Sequence, residues 1–296
     1  MEFNPCVGCG ARLIFKDKTA SASFTANLND SNIQINPSTI RFLTNGITKY
    51  GLIIFPNMQK LTAIGHLRLT TIFGTPKAHP RRGKPPALPG LKDTSFLVEV
   101  ATNDSSSEYY SSQIRADHWH SDVTFSPEPP SYTSLLAKAV PGEGRGDTMW
   151  ASTAAAYESL SPAMQETVMK MKAVHSDRLG LNLQAIHPIV RDIPFQDKSH
   201  ATKRALFINH HFTSHIEGWT EKESQPILDF LKARIIAPEY VYRHQWKLGE
   251  LVIWDNRQTL HYGIFDSGAH LRTLHRTTAG YERPIPSLPS TTRSSL

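Results

Sequence analysis

The sequence predicts a mainly β fold with flanking helices, closed or sandwiched in the manner of a jelly roll. Short apolar runs rich in β-branched and aromatic residues recur along most of the chain, and only a few stretches carry helix signals. Neither an internal repeat nor a convincing linker is visible, so we expect residues 1–296 to form a single domain. Residues 1–35 are weakly patterned and favour at most two strands, and residues 285–296 are expected to form a disordered tail.

The clearest strand is Tyr50–Phe55, an apolar run that ends at Pro56. The other predicted strands share short length and a high content of β-branched or aromatic residues; they are Ser95–Ala101, Asp117–Phe125, Ser131–Val140, Ala173–Ser176, Pro188–Arg191, Ala205–Asn209, Tyr240–Trp246, Leu251–Trp254 and Leu271–Thr278.

Three longer helices are predicted from their spacing and start signals. Gln59–Phe73 carries leucine and isoleucine residues near helical spacing. Ser161-Pro162 combines an N-cap residue with proline at the first helical position, which predicts a helix to about Lys172. Thr220-Glu-Lys-Glu223 is a capping box and predicts a helix to about Ala233.

Composition and charge limit the classes of location and partner. No run approaches the roughly 18 apolar residues of a membrane span, and the N-terminus lacks a secretory signal, so a cytoplasmic location is the default expectation. The net charge of +6 suits an anionic substrate or nucleic acid. The one basic cluster, Lys77–Lys84, lies in a Pro-rich stretch without interleaved aromatics, which favours a solvated loop over the alternatives of an active-site lid and, last, DNA binding. We therefore expect neither nucleic acid nor a membrane as a partner.

Cys6 and Cys9, the only cysteines, form a lone Cys-x-x-Cys motif. The motif could be half of a zinc site or a redox pair, but it has neither a second cysteine pair nor a βαβ context. We expect two reduced thiols in a loose N-terminal segment.

A candidate metal site begins in Asp117–Phe125, where His120 and Asp122 stand two residues apart. In a strand these side chains share a face, and together they supply two-thirds of a 2-His-1-carboxylate site for non-haem Fe(II). The motif alone is ambiguous, because His175-Ser-Asp177 repeats it and His215-Ile-Glu217 is similar.

Companion motifs distinguish the first copy. It is followed by Gly-Asp-Thr-Met-Trp (146–150), then by Trp254-Asp-Asn-Arg-Gln-Thr-Leu-His261 and Arg272-Thr-Leu-His-Arg276. In this order and spacing, over roughly residues 40–283, the motifs resemble the taurine dioxygenase (TauD/TfdA) family of Fe(II)/2-oxoglutarate-dependent dioxygenases. The other two pairs have no such companions and are predicted to be structural.

The resemblance implies a double-stranded β-helix (jelly roll, cupin-like) core in which His120, Asp122 and His261 hold iron and serve catalysis. It also implies that Arg272 and Thr148 bind the far carboxylate of 2-oxoglutarate, since a guanidinium can grip a carboxylate with two parallel hydrogen bonds. Three ligands on one face leave three positions open, which the family uses for the 2-oxo acid and O₂.

The substrate side is expected around Arg276. Within the predicted strand Leu271–Thr278, residues 272, 274 and 276 share a face, and two buried arginines there would be costly without anions to pair with. The resemblance assigns the second anion to the substrate, bound by Arg276; the alternative is a protein carboxylate at the strand end. His79 matches a substrate-contacting histidine and Phe212 a pocket wall, against the alternatives of an exposed loop histidine and a core aromatic.

Other positions refine this picture. Trp150 and Trp254 flank the motifs and are expected to pack around the metal. Ala116 and Arg82 stand where the taurine enzymes carry an asparagine and a tyrosine that contact substrate. The resemblance therefore predicts an acid other than taurine or a larger tailoring substrate.

The expected activity is oxidation of a C–H bond in a small anionic substrate (a sulfonate, sulfate or carboxylate), with release of succinate and CO₂. The same cofactors could instead give desaturation or cyclisation in a secondary-metabolite pathway. A third alternative is a non-catalytic β-barrel module that binds an anion. Members of the family are often oligomeric, which leaves a homo-oligomer open, although the chain itself shows no interface.

Overall fold

A computed structural model describes residues 1–77, 96–102, 117–142, 144–177, 182–195, 202–268 and 270–287. Within these ranges the chain forms a mixed α/β structure with several sheets. The helices are α1 Lys18–Asn29, α2 Pro37–Tyr50, α3 Ala63–Thr71, α4 Thr153–Glu158, α5 Pro162–Met169 and α6 Glu221–Ile235, with a short 3₁₀ helix at Pro238–Tyr240.

The strands are short, as the sequence predicts. Those of the N-terminal half are β1 Glu2–Pro5, β2 Ala11–Ile14, β3 Leu52–Phe55, β4 Leu97–Thr102, β5 Pro130–Ala139 and β6 Thr148–Ser152. Those of the C-terminal half are β7 Lys172–Ser176, β8 Gln184–Pro188, β9 Val190–Ile193, β10 Lys203–Leu206, β11 Thr213–Ile216, β12 Val241–His244, β13 Leu251–Asp255, β14 Thr259–Gly263, β15 Arg272–Tyr281 and β16 Ile285–Pro286.

A seven-stranded sheet carries one side of the site. Its order is β1-β2-β3-β13-β5-β15-β4, antiparallel except for the parallel β2–β3 pair. Three small antiparallel sheets accompany it, with the orders β12-β6-β14, β11-β7-β8 and β10-β9-β16. The first of these small sheets carries the other side of the site.

Both faces of the large sheet are buried, and alternating residues separate them. Along β3, Ile53 packs in the cluster formed with α1, α2 and α3, whereas Leu52 and Ile54 pack on the opposite face. That opposite face meets Trp150 of β6, so a shared apolar cluster joins the large sheet to β12-β6-β14. Burial on both faces explains the nearly continuous apolar run of β3.

The N-terminal region is more ordered than the sequence predicts. Residues 1–35 contain β1, β2 and α1, and the β1–β2 pairing makes the expectation of a loose segment around the cysteines wrong. Both cysteines are free thiols, and burial raises the pKa of Cys9 to about 12. Helix α1 escapes pattern analysis because its buried face includes the small polar residues Ser21 and Thr25 beside Leu28.

Several predicted elements are confirmed, and two elements away from the metal group need correction. The strand at Tyr50–Phe55, the helix within Gln59–Phe73 and the capping box at Thr220 are present. The expected tail begins too early, because β16 pairs with β9; residues 288–296 lie outside the described ranges. The predicted strand Pro188–Arg191 is divided between β8 and β9, because the chain leaves one small sheet and enters another there.

Among the described residues, no helix has both the length and the apolar character to cross a bilayer. The cytoplasmic location and the single-domain organisation of residues 1–296 stay predictions.

Candidate active site

Three side chains with metal-binding atoms meet beside β14. His261 lies on this strand, and its backbone forms a two-bond bridge with His120, with N···O distances of 3.1 and 2.8 Å. Asp122 Oδ1 lies 4.0 Å from His120 Nε2 and 3.8 Å from His261 Nε2. The candidate ligand atoms all lie within 4.8 Å of one another, and no second such group occurs in the described ranges. One ion could therefore contact all three side chains.

The path of the chain through this group corrects the predicted strand Asp117–Phe125. Only the bridge at His120 is strand-like, and residues 122–125 form a turn in which Val123 has a left-handed φ of 51°. The side chains of His120 and Asp122 meet because the chain turns back after His120. The prediction that they share one face of a strand is therefore wrong.

Buried polar groups hold this turn in place. Thr124 Oγ1 accepts a hydrogen bond from Asn209 Nδ2 at 3.0 Å and lies 2.9 Å from His175 Nδ1. The Thr124 carbonyl accepts from His187 Nε2 at 2.9 Å. A left-handed valine is costly, and these contacts offset that cost.

The protonation states fit a divalent metal. His120 Nδ1 lies 2.7 Å from the His118 carbonyl oxygen, which can only accept, so Nδ1 carries the proton and Nε2 presents its lone pair. Burial lowers the pKa of His120, and burial together with His120 lowers the pKa of His261 well below its usual range. Two neutral imidazoles and one carboxylate are the donor set of a facial-triad metal site.

Asp122 is kept ionised by its neighbours. Burial alone would raise its pKa, but the guanidinium of Arg276 and the two imidazoles outweigh that effect and lower the pKa far below its usual value. Arg276 NH2 lies 2.7 Å from Asp122 Oδ1. Arg276 thus contacts a protein carboxylate, which was the alternative to a substrate anion, and its predicted role in substrate binding stays a prediction.

A second buried cation lies on the same strand as Arg276. Arg272 is 6% exposed; its Nε donates to the Gly146 carbonyl at 2.7 Å and its NH2 to Thr148 Oγ1 at 3.3 Å. These hydrogen-bond partners are both uncharged. Burial lowers the Arg272 pKa to about 10, with Asp147 and Asp266 opposing, so the group stays protonated at neutral pH. A buried cation with neutral partners is well suited to bind an anion.

Apolar and aromatic side chains line the triad. Phe212 packs against Phe125 and Val123, and its ring centroid lies 6.3 Å from that of His120. On the other side, the ring centroid of Trp254 lies 4.8 Å from that of His261, and Trp150 packs edge-on against Trp254 at 5.5 Å. Phe212 is therefore a buried aromatic close to His120, its role as a pocket wall stays a prediction, and both tryptophans pack next to the candidate metal group.

The other two histidine–carboxylate pairs lie elsewhere. His175 is fully buried among Thr124, His187 and Phe207, and it belongs to no candidate metal group in the described part of the chain. Near the other pair, Glu217 forms an ion pair with Lys172. Neither pair belongs to a candidate metal group in the described ranges, and their structural role stays a prediction. Several residues named above lie outside the described ranges: His79, Arg82, Ala116 and the basic cluster beyond Lys77.

Sequence reasoning missed two residues that touch the triad. Thr133 Oγ1 donates to Asp122 Oδ2 at 2.6 Å, and Asn256 Nδ2 donates to Thr133 Oγ1 at 2.8 Å. The one sequence feature that could have pointed to Asn256 is its place within the Trp254–His261 motif. Thr133 lies in an ordinary strand, and no sequence feature points to a role for it at the site.

Comparisons with known proteins agree with this geometry. Residues 16–278 match the family model "Taurine catabolism dioxygenase TauD, TfdA family". The chain is 27% identical to an alkylsulfatase of Acinetobacter baylyi, covering 84% of this chain and 79% of that protein. It is 28% identical to an alpha-ketoglutarate-dependent sulfate ester dioxygenase of Pseudomonas putida, covering 85% and 84%.

A solved structure agrees as well. The crystal structure of a taurine dioxygenase from Burkholderia xenovorans superposes with a TM-score of 0.76 at 26% identity, covering 96% of this chain and 92% of that one. The family model matches residues 16–278, which is most of the chain. The metal group of His120, Asp122 and His261 fits the dioxygenase chemistry that the family model names. The chain belongs to the TauD/TfdA family and is a 2-oxoglutarate-dependent dioxygenase.

Proposed function

We propose that this dioxygenase binds Fe(II) through His120, Asp122 and His261 and oxidises a C–H bond of a small organic anion. The observation that carries the proposal is the pairing of a metal-binding triad with a buried cation that has only uncharged hydrogen-bond partners among the described residues. When bound, the iron, 2-oxoglutarate and O₂ supply the oxidant, and the co-substrate leaves as succinate and CO₂.

The distance between the metal group and the Arg272–Thr148 pair suits a dicarboxylic acid. Thr148 pairs with Gly263, two residues beyond His261 on β14, which corresponds to about 7 Å along the strand. Arg272 and Thr148 would grip the far carboxylate of 2-oxoglutarate, while its 2-oxo acid end meets the metal. Replacing Arg272 by lysine keeps the charge but removes the two-pronged geometry.

A double-stranded β-helix core would place these groups. The large sheet supplies Arg272 and Arg276 from β15, and β12-β6-β14 supplies Thr148 and His261. The apolar cluster that joins the two sheets supports this arrangement.

The chemistry of the substrate side favours a sulfate ester or a related sulfonate or carboxylate. Arg276 supplies one cation, and Phe212, Phe125 and Val123 supply an apolar wall. Arg276 now contacts Asp122, and metal binding by that carboxylate would leave the guanidinium available to the substrate anion. The two relatives named for sulfate ester chemistry support the same class.

Hydroxylation of the carbon bearing a sulfate ester gives a hemiacetal sulfate. That adduct collapses to an aldehyde, inorganic sulfate and a proton, so the C–O bond to sulfate breaks without attack at sulfur. The protein's residues bind the anion, orient the carbon and exclude water.

The test of the catalytic proposal is succinate release from 2-oxoglutarate by the wild type, His120→Ala and Asp122→Ala. Both variants should fall to background, whereas His215→Ala, which removes a histidine outside the metal group, should retain activity within about twofold. Normal succinate release by either ligand variant would overturn the proposal.

The substrate class is tested by a screen of medium-chain alkyl sulfates, alkyl sulfonates, carboxylates and amino acids. We expect alkyl sulfates to raise succinate release above the uncoupled background and to yield equal amounts of aldehyde and sulfate. Arg276→Gln should lower kcat/KM for the anionic substrate by about 100-fold, because a buried charged partner is lost, while 2-oxoglutarate affinity changes little. Equal kcat/KM in the variant would exclude Arg276 as the anion-binding residue.

A further inference from the structure

The two oxygens of Asp122 have different surroundings. Oδ1 faces the Nε2 atoms of His120 and His261, and it also contacts Arg276. Oδ2 accepts a hydrogen bond from Thr133 Oγ1 at 2.6 Å. The carboxylate therefore presents one oxygen to the candidate metal position and uses the other in the protein interior.

The direction of this hydrogen bond is fixed by a chain of donors. It begins at Trp254, whose indole nitrogen can only donate and lies 2.9 Å from Asn256 Oδ1. The amide oxygen must therefore face the indole, which turns Nδ2 toward Thr133 Oγ1 at 2.8 Å. The Thr133 oxygen accepts that bond, and its single hydrogen is left for Asp122 Oδ2.

The backbone supports the same arrangement. Ser121 Oγ donates to the Asn256 carbonyl at 2.6 Å, and the Asp122 N–H donates to Asn256 Oδ1 at 3.4 Å. Thr133 and Asn256 are 1% and 2% exposed, so water does not compete for these bonds.

We propose that Thr133 and Asn256 are positioning residues that restrict Asp122 to binding the metal through one oxygen. The inference rests on the proposed function. If both oxygens turned to the ion, the carboxylate would occupy a further coordination position, and fewer would remain for 2-oxoglutarate and O₂. Trp254 acts through the same chain, since its N–H selects the orientation of the Asn256 amide.

The test compares Thr133→Val, which keeps the shape and removes the hydroxyl, with Thr133→Ser, which restores the donor. Outer hydrogen-bond partners of metal ligands typically change metal affinity by about 10–100-fold, and we expect a loss of that size for Co(II) in Thr133→Val. The visible spectrum of bound Co(II), which follows coordination geometry, should also change. Thr133→Ser should restore both the affinity, within about threefold, and the spectrum.

Thr25→Val is the matched control, since Thr25 is also buried and its hydroxyl donates to the Ser21 carbonyl in α1. It should lower stability and leave Co(II) affinity unchanged. Asn256→Leu removes the amide that orients Thr133 and should lower Co(II) affinity in the same direction. If Thr133→Val does not fold, the Co(II) affinity of Asn256→Leu tests the proposal instead.

The outcomes separate this inference from the proposed function. A wild type that binds Co(II) normally, with Thr133→Val or Asn256→Leu equal to it in affinity and spectrum, would overturn the positioning role alone. A wild type that binds neither Co(II) nor, anaerobically, Fe(II) with 2-oxoglutarate would overturn both.

Discussion

The tripeptide His-Ser-Asp occurs twice in this chain, at residues 120–122 and 175–177, and the two copies have different roles. In the first copy the chain turns after the aspartate, which brings Asp122 Oδ1 within 4.0 Å of His120 Nε2 and beside His261. In the second copy the histidine lies on the regular strand β7, and its ring packs among buried polar and aromatic groups. The same three residues thus acquire a metal-binding geometry only where the backbone turns.

The largest contrast should come from the same substitution in both copies. Asp122→Asn removes the charged ligand of the triad, so we expect Mn(II) affinity to fall by at least about 100-fold, more than the loss of an outer partner costs. Asp177→Asn should change Mn(II) affinity by less than about threefold. Calorimetric titration of each variant with Mn(II) and 2-oxoglutarate measures both values, and equal losses in the two variants would contradict the assignment of the first copy.

The two copies also show which features of the site can be predicted from the sequence. His261, Arg272 and Thr148 could be found from motif order, because the chemistry requires those residue types. The strand predicted for Asp117–Phe125 was wrong because β propensity does not reveal the left-handed Val123 on which the site depends.

The supporting contacts were beyond sequence reasoning for a similar reason. Thr133 is an ordinary strand residue until β5 and the turn at Asp122 are placed side by side. Strand β14, which carries His261, is only five residues long and directly follows a polar turn, so its pattern is weak. Pairings across long sequence separations decide these features, and a single sequence does not display them.

The second copy should matter for stability instead of metal binding. His175→Ala removes a fully buried ring and its contact with Thr124, so we expect a loss of about 2–4 kcal/mol in the free energy of unfolding. Thr124 keeps its hydrogen bonds from Asn209 and His187, so the turn should persist and Mn(II) affinity should change by less than about threefold. Urea denaturation of the metal-free protein, followed by Mn(II) titration of the folded variant, measures both.

His120→Ala is the converse control for His175→Ala. It should abolish Mn(II) binding and cost less stability, because the His120 side chain is 13% exposed and lies at the edge of the site. A His175→Ala protein that remained stable but lost its metal would show that the second copy contributes to the site.

A smaller effect is expected in the pH dependence of the free energy of unfolding, to which a buried structural histidine such as His66 should contribute. His66 in α3 is fully buried, with Nε2 2.6 Å from Ser134 Oγ; burial, with nearby His275 and Lys138, lowers its pKa to about 3. Because the unfolded chain takes up this proton near pH 6.5 and the folded protein does not, the stabilising contribution is complete above about pH 6.5 and declines as the pH falls toward 3. At pH 5 the loss from His66 alone should be about 2 kcal/mol.

His66→Gln keeps a hydrogen-bonding group near Ser134 but cannot titrate. The difference between the unfolding free energies at pH 7.5 and pH 5.0, measured in urea on metal-free protein, should therefore be about 2 kcal/mol smaller in this variant than in the wild type. The exposed His270→Gln variant is the matched control. An unchanged pH dependence in His66→Gln would mean that the acid sensitivity arises from other groups, and the separation between structural and metal-facing histidines would then rest on metal affinity alone.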